Sequence, residues 1–171
     1  MKRNIEKGVE RMLVEQNGFY ISTNKASLDK NLIHQFLDKD SYWANDIPFD
    51  FVERFIESSI CFGVYNGNPT ENEYNQVGFA RVVSDSVTFA YLADVFILPE
   101  YRKQGLSKWL MDEIIKYDRL STVRVFMLGT KDAHSLYSKY GFEVIDNSNN
   151  RFMGILKDNM YKNMKALKQE N

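Results

Sequence analysis

The stretch Val95-Phe96-Ile97-Leu98-Pro99-Glu100-Tyr101-Arg102-Lys103-Gln104-Gly105-Leu106-Ser107-Lys108-Trp109 constrains the fold more than any other part of the chain. An apolar run from Val87 to Leu98 ends at a proline, which stops a strand because it offers no N–H to a ladder. A short cationic turn follows, then Gly105 and the small Ser107. From there the spacing predicts a helix over about 104–117, with Leu106, Leu110, Ile114 and Trp109 on its inner face. The first amides of a helix have no intrahelical acceptor, and together with the helix dipole they favour an anion. Gly105 and Ser107 lack bulk, so a diphosphate could approach the backbone, while Arg102, Lys103 and Lys108 supply positive charge. A plain helix start with solvated basic residues has the same local pattern. Two other phosphate signatures, G-x-x-x-x-G-K-[ST] and G-x-G-x-x-G, do not occur.

The rest of the chain gives this segment a mixed α/β setting. Phe19–Ser22 reads as a strand after the turn signal Asn17-Gly18. Leu28, Leu32, Ile33, Phe36 and Leu37 repeat at helical spacing behind Ser27 as N-cap. A second helix begins near Phe51, with Asp50 as its cap. Strands are expected over 60–65, 76–83 and 87–98, separated by Asn66-Gly67-Asn68-Pro69 and Ser84-Asp85-Ser86. After the central helix come a strand over 123–128, a short helix over 132–139 ended by Gly141 as C-cap, and strands over 143–145 and 152–156. The segment from Met160 onward is Lys-rich and weakly helical, and is read as solvated. Antiparallel strands followed by a strand-helix-strand crossover make an α/β fold with a mixed sheet flanked by helices.

Composition narrows the class further. At 171 residues, 44% hydrophobic and 26% charged, the chain suits one globular domain and excludes a disordered tail, a collagen-like repeat or a disulfide-dense mini-protein. The 22 basic and 23 acidic residues leave a net charge of −1, so no global field draws the protein to nucleic acid or a membrane surface. The single cysteine, Cys61, lies in an apolar strand and reads as a buried, inert thiol. No signal-peptide or membrane-spanning run is apparent, which together with the unpaired cysteine gives a cytoplasmic expectation. No His, Cys, Asp and Glu grouping has metal-ligand spacing, so no metal is expected.

Arg102-x-x-Gly105-x-Ser107, preceded by Ile97-x-Pro99-x-Tyr101, resembles the acetyl-CoA loop of the GCN5-related N-acetyltransferases (GNAT). Ser107 stands where the family has Gly or Ala. Downstream, Ala133-His134-Ser135-Leu136-Tyr137-Ser138-Lys139-Tyr140-Gly141-Phe142 resembles the family's closing helix, and Thr130 stands where many members have Asn. The resemblance implies a single GNAT domain over 1–171 with its core at about 19–156, in which the strands over 91–98 and 123–128 splay apart. It implies acetyl transfer from acetyl-CoA, as cosubstrate, to a primary amine of a small molecule or peptide.

On that resemblance Val95, Phe96 and Ile97 would pair with the amide-bearing arm of the coenzyme, as in strand addition to an open edge. Residues Lys103, Gln104, Gly105, Leu106, Ser107 and Lys108, with Arg102, would hold the diphosphate, and Thr130 and Tyr137 would flank the cofactor. An N–H near Phe96 would stabilise charge on the thioester oxygen. Tyr137 is the candidate general acid toward the departing thiolate, against a reading as a packing residue. Asp94, a lone carboxylate in an apolar strand, is the candidate general base; a carboxylate bonded to backbone where the strand distorts, or a water relay, are the alternatives.

Tyr42, Trp43 and Phe49 would form an aromatic lip for the acceptor, with Asp46 and Asp50 attracting an amine, or else close the core while the acids cap and solvate. His34 reads as a packing or surface residue, and His134 only flanks the cofactor. A catalytically silent sensor or scaffold that binds CoA or acyl-CoA is the rival class, and a longer acyl donor is a third reading. The near-neutral charge disfavours an RNA substrate. Homodimerisation is left open.

Overall fold

A computed structural model describes residues 11–145, 148, 153–154 and 159–169. Its architecture follows from turns that force strands together. Asn17 and Gly18 both take positive φ (53° and 78°), the mirror-image turn that matches strand twist and closes a tight hairpin. The hairpin joins β1 (Leu13–Gln16) to β2 (Phe19–Ser22) in the register Leu13↔Ser22 to Gln16↔Phe19. β1 was not expected from the sequence: it is short, and of its residues only Val14 is buried.

Three long strands follow, β3 (Ile60–Asn66), β4 (Asn75–Ser84) and β5 (Phe89–Ile97), each antiparallel to its predecessor. β6 (Val125–Leu128) joins β5 in parallel, so the six-stranded sheet runs in sequence order. The fold is therefore the mixed α/β sheet that the element order implied. Helix α1 (Lys30–Gln35), continued by a π-helical turn at Phe36–Asp40, and α2 (Phe49–Ser58) cover one face. Helix α3 (Leu106–Ile115), the crossover between β5 and β6, covers the other. With both faces covered, β3 is buried at every position but its last. Cys61, Phe79 and Phe96 pack toward α1 and α2, whereas Phe62, Val64 and Ala80 pack toward Leu106, Leu110 and Ile114. Gly63 is required for close approach: a Cβ there would lie 2.2 Å from the Tyr65 hydroxyl.

Several expected details differ. Asp29, not Ser27, caps α1, its carboxylate accepting from Leu32 N–H at 3.0 Å, because Ser27 is taken up in a 3₁₀ turn at Lys25–Ser27. α2 starts at Phe49 behind Pro48, which places Asp50 inside the first turn rather than at the cap. The short helix α4 (His134–Tyr137) runs into a 3₁₀ turn at Ser138–Tyr140 that ends, as expected, at left-handed Gly141. Glu143, Val144 and Ile145 are irregular rather than a strand, and the strand expected over 152–156 lies largely outside the described residues. The basic C-terminal segment forms α5 (Met160–Gln169), which returns to the face of α2 through Tyr161. Among the described residues no helix is long and apolar enough to cross a membrane.

Candidate active site

The parallel ladder between β5 and β6 runs only from Phe89↔Val125 to Leu92↔Leu128. Beyond Leu92, β5 continues to Ile97 with no partner on that side, so a gap opens between the strands. A bulge accompanies the divergence. Phe79 pairs with Phe96 and Arg81 with Ala93, leaving Asp94 and Val95 opposite Ala80 alone. Asp94 takes the left-handed φ of 54° that such an irregularity demands. Past the bulge, Leu98 N–H donates to the Val77 carbonyl at 2.8 Å. Antiparallel alternation then turns Phe96 N–H toward β4 and Ile97 toward the gap. The expectation of a gap-facing N–H at Phe96 therefore shifts to its neighbour.

Below the gap, the chain turns through Pro99–Tyr101 into the start of α3. Gly105 is the N-cap with φ 84°, and its carbonyl accepts from Lys108 and Trp109 N–H at 3.0 Å. The amides of Leu106 and Ser107 precede the first intrahelical bond and need an external acceptor. Nothing lies within 4 Å of where a Cβ on Gly105 would sit, so the space in front of the turn is open. Arg102 is anchored by donating from Nε to the Ile97 carbonyl at 3.0 Å. Open space, free helix amides and adjacent cations fit the diphosphate of acetyl-CoA.

A cavity of about 380 Å³ joins this turn to the gap. Val95, Phe96 and Ile97 line it on the strand side, Arg102, Lys103, Leu106 and Ser107 on the turn side, and Tyr137 across from them. Its lining leaves out Gln104, Gly105, Lys108 and Thr130. Thr130 instead borders the cavity on the far side of the gap, and its hydroxyl accepts from Ala133 N–H at 3.0 Å ahead of α4.

That second cavity, about 550 Å³, shares Tyr42, Trp43, Val95, Asp132, Ala133 and Tyr137 with the first. Tyr137 is 9% exposed, and among the described residues its hydroxyl has no hydrogen-bond partner. Burial, then the nearby Tyr42 and Asp132, push the phenol up to about 12, so it keeps its proton throughout the neutral range. Tyr42 spans the mouth of the gap: its hydroxyl accepts from Lys131 N–H at 2.9 Å, and its ring meets Trp43 edge-on at 5.0 Å.

Asp94 is engaged on both oxygens. Oδ1 accepts from the indole N–H of Trp43 at 2.9 Å, and Oδ2 from Nε of Arg81. The Arg81 guanidinium lies 4.3 Å above the ring of Phe55. Phe49 does not join Tyr42 and Trp43; it packs edge-on against His34 at 5.3 Å and lines neither cavity. Asp46 pairs with Lys165 on α5. His34 accepts from no site group and instead contacts the Ile47 carbonyl at 2.9 Å through Nε2, while His134 lines neither shared cavity. Burial pushes the Cys61 thiol up to about 12. Among the described residues no group of His, Cys, Asp and Glu could hold a metal ion.

Sequence reasoning missed Arg81, Tyr91 and Tyr161, all of which line the second cavity. Arg81 left a signal: it is a lone cation in an apolar strand, as Asp94 is a lone carboxylate in the next. Tyr161 left none, because its contact with Phe51 spans most of the chain.

Comparison with known proteins agrees with this geometry. Residues 59–144 match the model of an acetyltransferase (GNAT) domain. A Gibberella zeae protein named as an acetyltransferase is 34% identical over 71% of this chain and 76% of its own length. The crystal structure of a GNAT-family protein from Xanthomonas campestris pv. campestris is 43% identical, with a TM-score of 0.77 over 84% of this chain and 96% of that one. An acetyltransferase from Elizabethkingia anophelis, solved with acetyl-CoA bound, shares the fold at 14% identity, with a TM-score of 0.54 over 84% of this chain and 91% of that one. Unpaired strand, basic helix start and sequence relationship converge, and the chain belongs to the GNAT family of acetyltransferases.

Proposed function

We propose that the protein transfers an acetyl group from acetyl-CoA directly to a primary amine of a small molecule or peptide, within a single domain. The observation that carries this reading is the largely buried Tyr137 side chain on the boundary shared by the two cavities, its hydroxyl making no hydrogen bond to the described residues. A binding module needs a pocket for its ligand; it has no need of a second pocket meeting the first at a proton donor.

Acetyl-CoA supplies an activated thioester. The amides of Leu106 and Ser107, with Arg102 and Lys103, hold the diphosphate. The gap-facing N–H of Ile97 aligns the amide-bearing arm as an added strand would. Tyr137 keeps a proton on its hydroxyl for the departing sulfur. Because burial has raised its pKa, that proton moves only where negative charge builds up. Asp94, with both oxygens engaged, acts as the positioning residue that holds Trp43 between the cavities. The second cavity, on the far side of the gap, takes the acceptor, whose proton leaves through water there.

The test is release of CoA thiol on mixing protein, acetyl-CoA and a panel of amines. Amine-dependent release, with acetylated amine as product, is the expected result. Stoichiometric acetyl-CoA binding with no release across the panel would favour the silent binding module.

A further inference from the structure

The acceptor cavity carries more information than its position. The rings of Tyr42, Trp43, Tyr91 and Tyr161 line it, and they come from the loop after α1, from β5 and from α5. Tyr42, Trp43 and Tyr91 are 52%, 42% and 39% exposed. Large aromatic surfaces left open around one cavity mark a place where a ligand's apolar surface is to be covered.

The charges around the cavity say what the rest of the ligand is not. The carboxylate of Asp94 is matched by Arg81, and Asp46 at the foot of α5 by Lys165. Neither is available to hold a ligand ammonium. Arg81 is taken up by Asp94, and Lys131 also lines the cavity, so a second cation on the ligand would meet Lys131 with neither Asp94 nor Asp46 free to receive it. Asp132, exposed and without an ion pair among the described residues, borders both cavities together with Tyr137. It is placed to draw in one amine, at the end where reaction occurs. Desolvation by the aromatic rings and the nearby Lys131 then disfavour the ammonium and favour the neutral, nucleophilic form.

Tyr161 depends on the C-terminal helix. Its ring packs edge-on against Phe51 of α2 at 5.8 Å, and the Lys165–Asp46 pair fixes the next turn of α5. Helix α5 thus supplies a wall of the cavity.

We propose that Tyr161 is a specificity-determining residue and that the cavity takes a monoamine with a flat, apolar body in preference to a polyamine or a lysine side chain. This rests on the acetyl-CoA reading above, and the test separates the two. Full-length protein is titrated calorimetrically with CoA, and the CoA-saturated protein with phenethylamine and with spermidine. Phenethylamine is expected to bind at least about tenfold more tightly than spermidine. Tyr161→Ala is expected to erase that preference with CoA affinity unchanged, and Tyr161→Phe to keep it. Normal CoA affinity with no preference for phenethylamine, or a preference that survives Tyr161→Ala, overturns this inference and leaves the acetyl-CoA reading standing. Failure of CoA itself to bind overturns both.

Discussion

The indole N–H of Trp43 donates to Oδ1 of Asp94 at 2.9 Å, tying the loop after α1 to the bulge that opens the sheet. Asp94 is the only residue of β5 with a positive φ, and its second oxygen holds Arg81. One side chain thereby fixes the bulge, a partly buried cation and the aromatic wall between the cavities.

Asp94→Asn separates positioning from base catalysis. Asparagine tolerates the left-handed backbone and still accepts from Trp43, but it leaves Arg81 without its anion. A loss of about 3 kcal/mol in urea denaturation is expected, as for breaking a buried pair. The midpoint of the kcat/KM pH profile stays where it is in the parent protein. A shifted midpoint would return the base role to Asp94.

Tyr137→Phe removes the proton donor without emptying its space. A fall in kcat of about a hundredfold is expected, with acetyl-CoA affinity nearly unchanged. In the parent protein the phenol, pushed up to about 12, gives no alkaline fall in kcat below about pH 10. Steady-state kinetics across pH read both outcomes.

Tyr65 is fully buried, and among the described residues its hydroxyl has no partner. Tyr65→Phe removes an unsatisfied group and keeps the ring, so the protein gains about 1 kcal/mol in denaturant titration. Loss of stability would mean that the hydroxyl has a bonding partner.

Stability should fall in alkali with a defined onset. The thiol of Cys61 has an ordinary value of 9.0 and the phenol of Tyr137 one of 10.0; burial pushes each to about 12 in the folded state, and pushes Tyr65 up as well. Above the ordinary values the unfolded chain loses these protons while the folded chain keeps them. Unfolding is then favoured, and the stabilisation fades as pH rises from 9 toward 12. Cys61→Ala moves the onset up by about one pH unit, from the thiol to the phenols. Melting temperature against pH checks it.

The sequence made the local chemistry legible and hid the long-range contacts. Pro99, the cations and Gly105 announce a strand, a turn and an open helix start within one short window, because each residue acts on its own backbone. Gly141 likewise marks the end of α4 and its following turn. Ser27 and Asp29 could both cap α1, and only the 3₁₀ turn decides between them. Phe49 looked like part of the aromatic lip because it is near Trp43 in sequence; helix α2 instead turns it to His34. Arg81 and Tyr161 reach the second cavity through sheet register and helix packing, which no local pattern encodes.

If the start of α3, beside the gap in the sheet, holds the diphosphate of acetyl-CoA, a negative charge placed there weakens binding. Ser107→Glu places that charge, and calorimetric titration with acetyl-CoA reads its effect. A carboxylate in the first turn suits the helix dipole, so the fold should melt no earlier than the parent. The same charge lines the coenzyme cavity and repels phosphate. One-to-one binding by the parent protein is expected, with an affinity at least about tenfold weaker in Ser107→Glu. Equal affinity in the two proteins, or no binding by the parent, would mean that the start of α3 is not the diphosphate site.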